Sequence, residues 1–155
     1  MSAAPFDVSV IKERLRTLVP ALRSVEGAAD YAAVRNLQDY PAPCAYVVLA
    51  GEVGAPNPPG NGIRGQQVKT SQMVAATFGV VLVARNYREQ RGDQLTDEFQ
   101  QLLGATRGAV MGFVPDVPGA RACQFVQGDL QDYDASTALW VDVFQTQHSI
   151  GSATP

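Results

Sequence analysis

Residues 73–85 read MVAATFGVVLVAR, an almost wholly apolar run. Apolar side chains occupy both alternating registers: Val74, Phe78, Val80 and Leu82 on one, and Met73, Val81 and Val83 on the other. Because side chains of a strand alternate between its two faces, both faces of this strand have to be covered. At about 3.3 Å per residue the stretch spans about 43 Å. We therefore predict a long central strand that crosses the whole domain.

The region before this strand contains a second apolar run and a segment of a different kind. Residues 44–50 (CAYVVLA) have the length and β-branched content of a first strand. Residues 51–66 hold five Gly and three Pro with hardly any apolar side chain. Such a composition cannot cover a core or form a regular ladder. It predicts a long projecting loop, which is a candidate contact arm because loops of this length are often functional.

Helical spacing occurs in three places. Apolar residues within 6–22 follow steps of three and four, which predicts an amphipathic helix that Pro20 kinks or ends. Residues 28–34 favour a second, short helical piece. Residues 93–107 predict the second main helix, with Asp93 as its N-cap.

The C-terminal part has the pattern of a hairpin. Residues 121–131 and 138–150 read as two strands that flank the turn-rich stretch 132–136. In the last strand two sets of side chains alternate: Trp140, Asp142, Phe144 and Thr146 share one face, opposite Leu139, Val141 and Val143. Residues 108–119 are expected to form a loop, and residues 151–155 a tail.

Together these elements favour an α+β domain with a mostly antiparallel sheet and two main helices packed on it. The chain has 155 residues and 46% hydrophobic content, the size and composition of a single domain over 1–155. At this length folding buries roughly 68–70% of the surface of the unfolded chain, so neither a metal nor a disulfide is required for a core.

Charge and cysteine usage narrow the class of protein. The net charge of −3 argues against a dedicated nucleic-acid binder, which needs a basic face. Cys44 and Cys123 lie far apart without CxxC spacing, so we expect both to be reduced and structural. The N-terminus has no basic start followed by an apolar run, and no stretch approaches the ~18 apolar residues of a membrane helix. We therefore expect folding in the cytoplasm and no membrane partner.

Residues 60–65 (GNGIRG) spell GxGxxG, the glycine pattern of dinucleotide-binding loops. That pattern requires a strand directly before it and a helix directly after it. Here Pro56, Pro58 and Pro59 precede it and strand-like residues follow. The context favours a flexible loop over nucleotide binding.

Two further sets of residues could carry chemistry. Cys44 and His148, the only histidine, would form a catalytic pair only with their side chains within ~3 Å and a third group to orient the base. The acidic set Asp129, Asp132 and Asp134 lacks the spacing of a calcium loop. We interpret Cys44 as a core residue and the three aspartates as turn and surface residues.

Basic and aromatic residues are also best explained structurally. Arg85, Arg88 and Arg91 surround a polar turn together with acidic neighbours, which favours an exposed mixed-charge turn or a subunit salt bridge over a phosphate site. Trp140 and Phe144 are most simply core residues, with an interface role as the alternative. We therefore expect no catalytic, cofactor-binding or metal-binding residues, and a protein that works through assembly.

The order of these patterns along nearly the whole chain resembles the tail terminator family of tailed bacteriophages. The resemblance lies in the first helix ending at Leu18-Val19-Pro20, in 43–49 (PCAYVVL) with its following loop, in 72–83 leading to 87–93 (YREQRGD), in 112–115 (GFVP) and in 139–146 (LWVDVFQT). Relatives tend to carry Gly-Trp-x-Pro at 112–115, so Phe113 replaces a Trp here and keeps its aromatic character.

The resemblance implies a virion structural protein without enzymatic activity or cofactor. Members of this family assemble into a ring, usually a homohexamer, on the head-proximal end of the tail tube. The implied partners are copies of the chain itself, the tail tube protein and the head–tail connector, with genomic DNA passing through the lumen without specific binding. The implied location is the tail and neck of the virion, after assembly in the host cytoplasm.

Two other functions remain open from the sequence. One is a neck or head-completion adaptor, which would occupy the neighbouring ring of the same particle. The other is a small nucleotide-binding or enzymatic domain that uses the loop at 60–65, a hypothesis motivated only by the spelling of that loop.

Overall fold

The structure is a computed structural model that describes residues 2–57, 60–85 and 96–152. Its helices are α1 (Ser9–Leu18), α2 (Ala28–Ala33) and α3 (Asp97–Val110), with one turn of 3-10 helix at Leu37–Asp39. Its strands are β1 (Ser24–Glu26), β2 (Cys44–Gly54), β3 (Ser71–Arg85), β4 (Gln124–Tyr133) and β5 (Thr137–Gly151).

The five strands form one sheet in the order β1-β2-β3-β5-β4. The pairs β2–β3, β3–β5 and β4–β5 are antiparallel, whereas β1 runs parallel to β2. The sheet is therefore mixed, and the α+β class is confirmed with this correction. Strand β1 was not predicted because three residues are too short to show a hydrophobic period.

The centre of the sheet is the long pair β3–β5. The predicted central strand is confirmed, and its pairing runs from Ser71↔Gly151 to Arg85↔Thr137. Gly151, which the sequence assigned to the tail, belongs to β5 because it pairs with Ser71 and its backbone N–H donates to Ser2 O at 3.0 Å. The predicted hairpin of the last two strands is also confirmed.

Strand β2 is longer than predicted. It continues through Gly54, so the first four residues of the predicted loop 51–66 are strand. After a bulge between Leu49 and Gly51, these residues pair with β3 down to Gly54↔Val74. The prediction failed because the length of β3 offers a partner to residues whose own side chains favour a loop.

The first two helices correspond to the predicted ones. Helix α1 buries Ile11 and Leu15 and ends before Pro20, which confirms the amphipathic pattern over a shorter range than 6–22. Helix α2 lies within the predicted piece 28–34.

Helix α3 has a different N-cap from the predicted one. It begins at Asp97, and the Thr96 hydroxyl accepts a hydrogen bond from Phe99 N at 3.2 Å. Thr96 therefore replaces the predicted cap Asp93, which lies outside the described residues. The helix starts where its apolar side begins to pack on the core, since Phe99 in its first turn is buried.

Apolar residues cover the sheet on both faces. On the face of α1 and α3, Phe78 stacks between Phe6 and Phe144 with ring centroids 5.7 Å from each. On the other face, Tyr46 packs 5.6 Å from the rings of Tyr31 and Tyr40, centroid to centroid. The predicted division of β5 into two faces is confirmed: Phe144 packs on the face of α1 and α3, and Leu139 packs on the other face.

Candidate assembly surfaces

The outer strand β4 is the most exposed of the five described strands. Val126 and Tyr133 are each 53% exposed and Phe125 is 36% exposed. Bulges interrupt its pairing with β5 between Phe125 and Gln127 and between Leu130 and Asp132. A bulge adds an unpaired residue and re-aims the strand locally. The first of these bulges contains Val126, an apolar residue on the open edge of the sheet.

A polar cluster beneath β4 holds this edge on the domain. The Arg107 guanidinium donates from Nε and Nη2 to the two carboxylate oxygens of Asp142, at 3.0 and 2.8 Å. Trp140 Nε1 donates to the same carboxylate at 2.8 Å. Asp142 is buried, and its hydrogen bond raises the pKa of Arg107. The guanidinium also lies 4.4 Å from the ring centroid of Phe125 on β4, which joins α3, β5 and β4.

Gly128 on β4 allows this cluster to form. A Cβ at position 128 would lie 2.4 Å from Asp142 Oδ1 and 3.0 Å from both Arg107 Nη2 and Trp140 Nε1. A Cβ at these distances would displace the carboxylate or the strand, so the glycine lets the backbone of β4 approach the carboxylate closely. The position of the edge strand therefore depends on this glycine.

A second surface lies at the opposite end of the sheet, between β2 and β3. We name residues 55–70 the arm. Its described residues, 55–57 and 60–70, form neither helix nor strand. The base of the arm is tied to β3: Ala55 N donates to Met73 O, and Asn57 Nδ2 donates to Ser71 O, both at 2.8 Å. Ser152 N donates to Thr70 O at 2.8 Å.

The outer part of the arm is exposed and carries one sign of charge. Ile63 is 69% exposed and Val68 is 47% exposed. Residues 55–70 include Arg64 and Lys69 and no Asp or Glu. Gly65 adopts a φ of 81°, a left-handed conformation that glycine accepts at no steric cost. The arm is therefore cationic in a chain whose net charge is −3.

A hydrogen-bonded group of three residues closes the core next to the arm. Glu52 Oε1 accepts from Phe6 N at 3.0 Å, and Glu52 Oε2 lies 2.8 Å from His148 Nε2. The Phe6 ring packs edge-on against His148, with centroids 5.7 Å apart. Glu52 and His148 thus hold the N-terminal segment against the C-terminal ends of β2 and β5.

Cys44 and His148 do not form a pair. Cys44 pairs with Val83 and His148 with Val74 on β3, which separates them by about 30 Å at 3.3 Å per residue. Burial raises the pKa of the Cys44 thiol and of the Cys123 thiol, and both thiols are free. This confirms the interpretation of both cysteines as reduced core residues.

The three aspartates occupy two kinds of position. Asp134 Oδ1 accepts from the backbone N–H groups of Ser136 and Thr137 at 2.8 Å each, and the bond from Ser136 N is the main cause of its lowered pKa. This confirms a turn role. Asp129 and Asp132 lie exposed on β4. Within residues 2–57, 60–85 and 96–152 no group of three His, Cys, Asp or Glu could hold a metal ion.

The remaining candidates also have structural explanations where they are described. Arg85 Nη1 donates to Thr137 Oγ1 at 3.0 Å, whereas Arg88 and Arg91 lie outside the described residues. The GxGxxG stretch lies between two antiparallel strands and leads into β3, not into a helix. Its geometry is therefore that of a hairpin connection and not of a dinucleotide loop. No helix in the described parts of the chain is long and apolar enough to cross a membrane.

Three residues of these surfaces were not predicted from the sequence: Arg107, Gly128 and Glu52. One signal was available for the first: Asp142 shares a face with Trp140 and Phe144, and a carboxylate on an apolar face requires a buried partner. No pattern in the sequence indicates the contact of Glu52 with His148, because these residues lie 96 positions apart.

An α+β subunit with a cationic arm at one end of its sheet and an exposed edge strand on one side has the features of a protein that acts through contacts with other chains. Over residues 1–155 the chain matches the phage tail terminator protein family, and it belongs to that family. The predicted resemblance is therefore confirmed, and the protein is a structural component of a phage tail. No protein with a curated description matches the chain.

Proposed function

We propose that residues 1–155 act as one domain that assembles into a hexameric ring on the head-proximal end of the tail tube. The ring ends polymerisation of the tube and offers the surface on which the head–tail connector docks. The observation that carries this proposal is membership of the tail terminator family over the whole chain. The protein performs this role without catalytic residues or a cofactor.

The charge and shape of the subunit support a ring. A contact between two different surfaces of identical subunits closes into a ring when the rotation per subunit permits it. The arm and β4 are two such different surfaces. A net charge of −3 also suits a lumen through which DNA slides, since a basic lining would bind phosphates.

The first test is the assembly state of the purified protein, alone and with purified tail tubes. Light scattering after size exclusion gives the mass, and electron microscopy shows whether rings sit on tube ends. We expect a six-subunit ring at one end of each tube. A monomer that leaves tube ends uncovered contradicts the proposal.

The second test separates a terminator from a neck adaptor. A phage that lacks this protein should produce tails of uncontrolled length, because nothing stops the tube from growing. Tails of normal length that fail to join heads would instead assign the chain to the neck. Complementation with the wild-type chain is the control for both outcomes.

A further inference from the structure

We propose that the contact between neighbouring subunits is formed by the arm of one copy and strand β4 of the next. This inference rests on the proposed ring and names the two surfaces that close it. The occupant of the open sheet edge is thus residues 60–70 of a second copy of this chain.

Charge complementarity is the first argument. The arm carries Arg64 and Lys69 with no carboxylate from 55 to 70. Residues 124–133 of β4 carry Asp129 and Asp132 with no Lys or Arg. Both aspartates are exposed. Tyr133 N donates to Asp132 Oδ1 at 2.8 Å, whereas the Asp129 side chain has no hydrogen bond or ion pair to another described residue. Opposite charge on the two surfaces favours a head-to-tail contact and disfavours arm against arm or strand against strand.

Apolar exposure coincides with these charges. Ile63 precedes Arg64 and Val68 precedes Lys69, and the two apolar side chains are 69% and 47% exposed. On β4, Val126 is 53% exposed in its bulge and Phe125 is 36% exposed. An interface needs apolar side chains at its centre and charges around them, and both surfaces offer that combination.

Within one subunit, the exposed charges of the arm start far from Asp129 on β4. Asp129 pairs with Val141, and Val141 pairs with Val81, ten residues along β3 from Ser71, where the arm ends. That separation is about 33 Å along the sheet. Arg64 lies seven residues before Ser71, so its backbone reaches at most about 25 Å from the base of the arm even if fully extended. We therefore assign the contact of these charges to the arm and β4 of different molecules.

Charge reversal tests the contact. One variant carries Arg64→Glu with Lys69→Glu, and the other carries Asp129→Lys with Asp132→Lys. Each alone should weaken subunit association about tenfold or more in sedimentation velocity at low salt, since two attractions become repulsions. An equimolar mixture of the two variants should restore rings, because each arm then meets a strand of opposite charge. The four substitutions together in one chain should restore them as well.

The control variant carries Arg35→Glu with Glu98→Lys, two exposed charged residues that belong to neither the arm nor β4. It should sediment like the wild type, and all variants should keep the thermal midpoint of the wild type. Rings that persist in both reversal variants overturn the contact while the ring itself stands. Loss of rings without rescue in the mixture also overturns it. A wild-type chain that is monomeric alone and on tubes refutes the ring.

Disulfide trapping gives a second measurement that does not depend on charge. Ile63→Cys and Val126→Cys in one chain should yield a ladder of linked subunits under oxidation up to the full ring. Either substitution alone should give dimers at most, since Cys44 and Cys123 are buried. A double variant that forms no ladder under conditions in which rings are present overturns the contact.

Discussion

Strands β3 and β4 pair with the same strand, β5, yet they have opposite surroundings. In β3 an unbroken run from Phe78 to Ala84 is buried, whereas eight of the ten residues of β4 are exposed. The hydrogen-bonding partner is the same, so the ladder does not account for the difference. The two strands differ in what packs around them. Side chains cover both faces of β3, whereas β4 is the last strand of the sheet and most of its residues are exposed. One side of β5 thus provides stability, and the other side is available for contacts with other chains.

The polar cluster around Arg107 connects these two sides. It attaches β4 to the core through Asp142 without burying the outer surface of the strand. An exposed edge strand is normally a risk because it can pair with unintended chains, and bulges and charges reduce that risk. The two bulges and two aspartates of β4 would therefore disfavour pairing with unintended chains.

The largest effect is expected in the centre of β3. Phe78→Ala removes a fully buried ring that stacks on Phe6 and Phe144, and the cavity should lower the free energy of unfolding by about 3–5 kcal/mol. Urea denaturation followed by circular dichroism measures it. The conservative control Phe78→Leu should lose much less. A loss below about 1 kcal/mol for the alanine variant would contradict the burial contrast between β3 and β4.

The next effect tests the close approach beneath β4. Gly128→Ala places a Cβ against Asp142 Oδ1 and should lower the free energy of unfolding by about 1–3 kcal/mol. The matched control is Gly108→Ala in α3, where an added Cβ meets nothing within 4 Å. That change should stabilise the protein by about 0.5–1 kcal/mol, because alanine favours helix. Equal effects of the two substitutions would show that β4 is not held at this distance.

A pH dependence should come from the core strands and not from the edge. Burial raises the pKa of Cys44, on β2, from its usual 9.0, and burial is also the main cause that raises the pKa of Tyr46. The unfolded chain therefore releases these protons first as pH rises above 9, so the free energy of unfolding should fall between pH 8 and pH 10.

Denaturation at the two pH values measures this fall. Cys44→Ala removes one of the groups with a raised pKa and should make the fall smaller, whereas Asp129→Asn on β4 should leave it unchanged. A free energy of unfolding that stays constant from pH 8 to pH 10 contradicts the expectation.

The smallest effect on stability is expected at the edge. Val126→Ser replaces an apolar side chain that is already 53% exposed, so the free energy of unfolding should change by at most about 0.5 kcal/mol. The same variant should still weaken ring formation if β4 is the contact strand. A large loss of stability with unchanged assembly would reverse the roles that we assign to the two strands.

Much of this fold could be predicted from residue patterns, and the errors share a cause. The apolar runs gave β3 and β5, and the helical spacing gave α1 and α3. The extension of β2 through Gly54 and the parallel strand β1 were missed, because both exist only through the strands beside them. The predicted N-cap of α3, Asp93, was wrong by three residues. Threonine and aspartate are both good N-caps, and the start of the helix at Thr96 is set by the packing of Phe99 in the core.

The amino-acid sequence was sufficient to predict the four longer strands, the two faces of β3 and β5 and the resemblance to the tail terminator family. These properties follow from periodicity and order along the chain, which are local or linear. The contact of Glu52 with His148, that of Arg107 with Asp142 and the close approach of Gly128 to Asp142 became apparent only in the folded sheet. The physical reason is that such contacts join residues distant in sequence, and their geometry exists only once the sheet has brought the strands together.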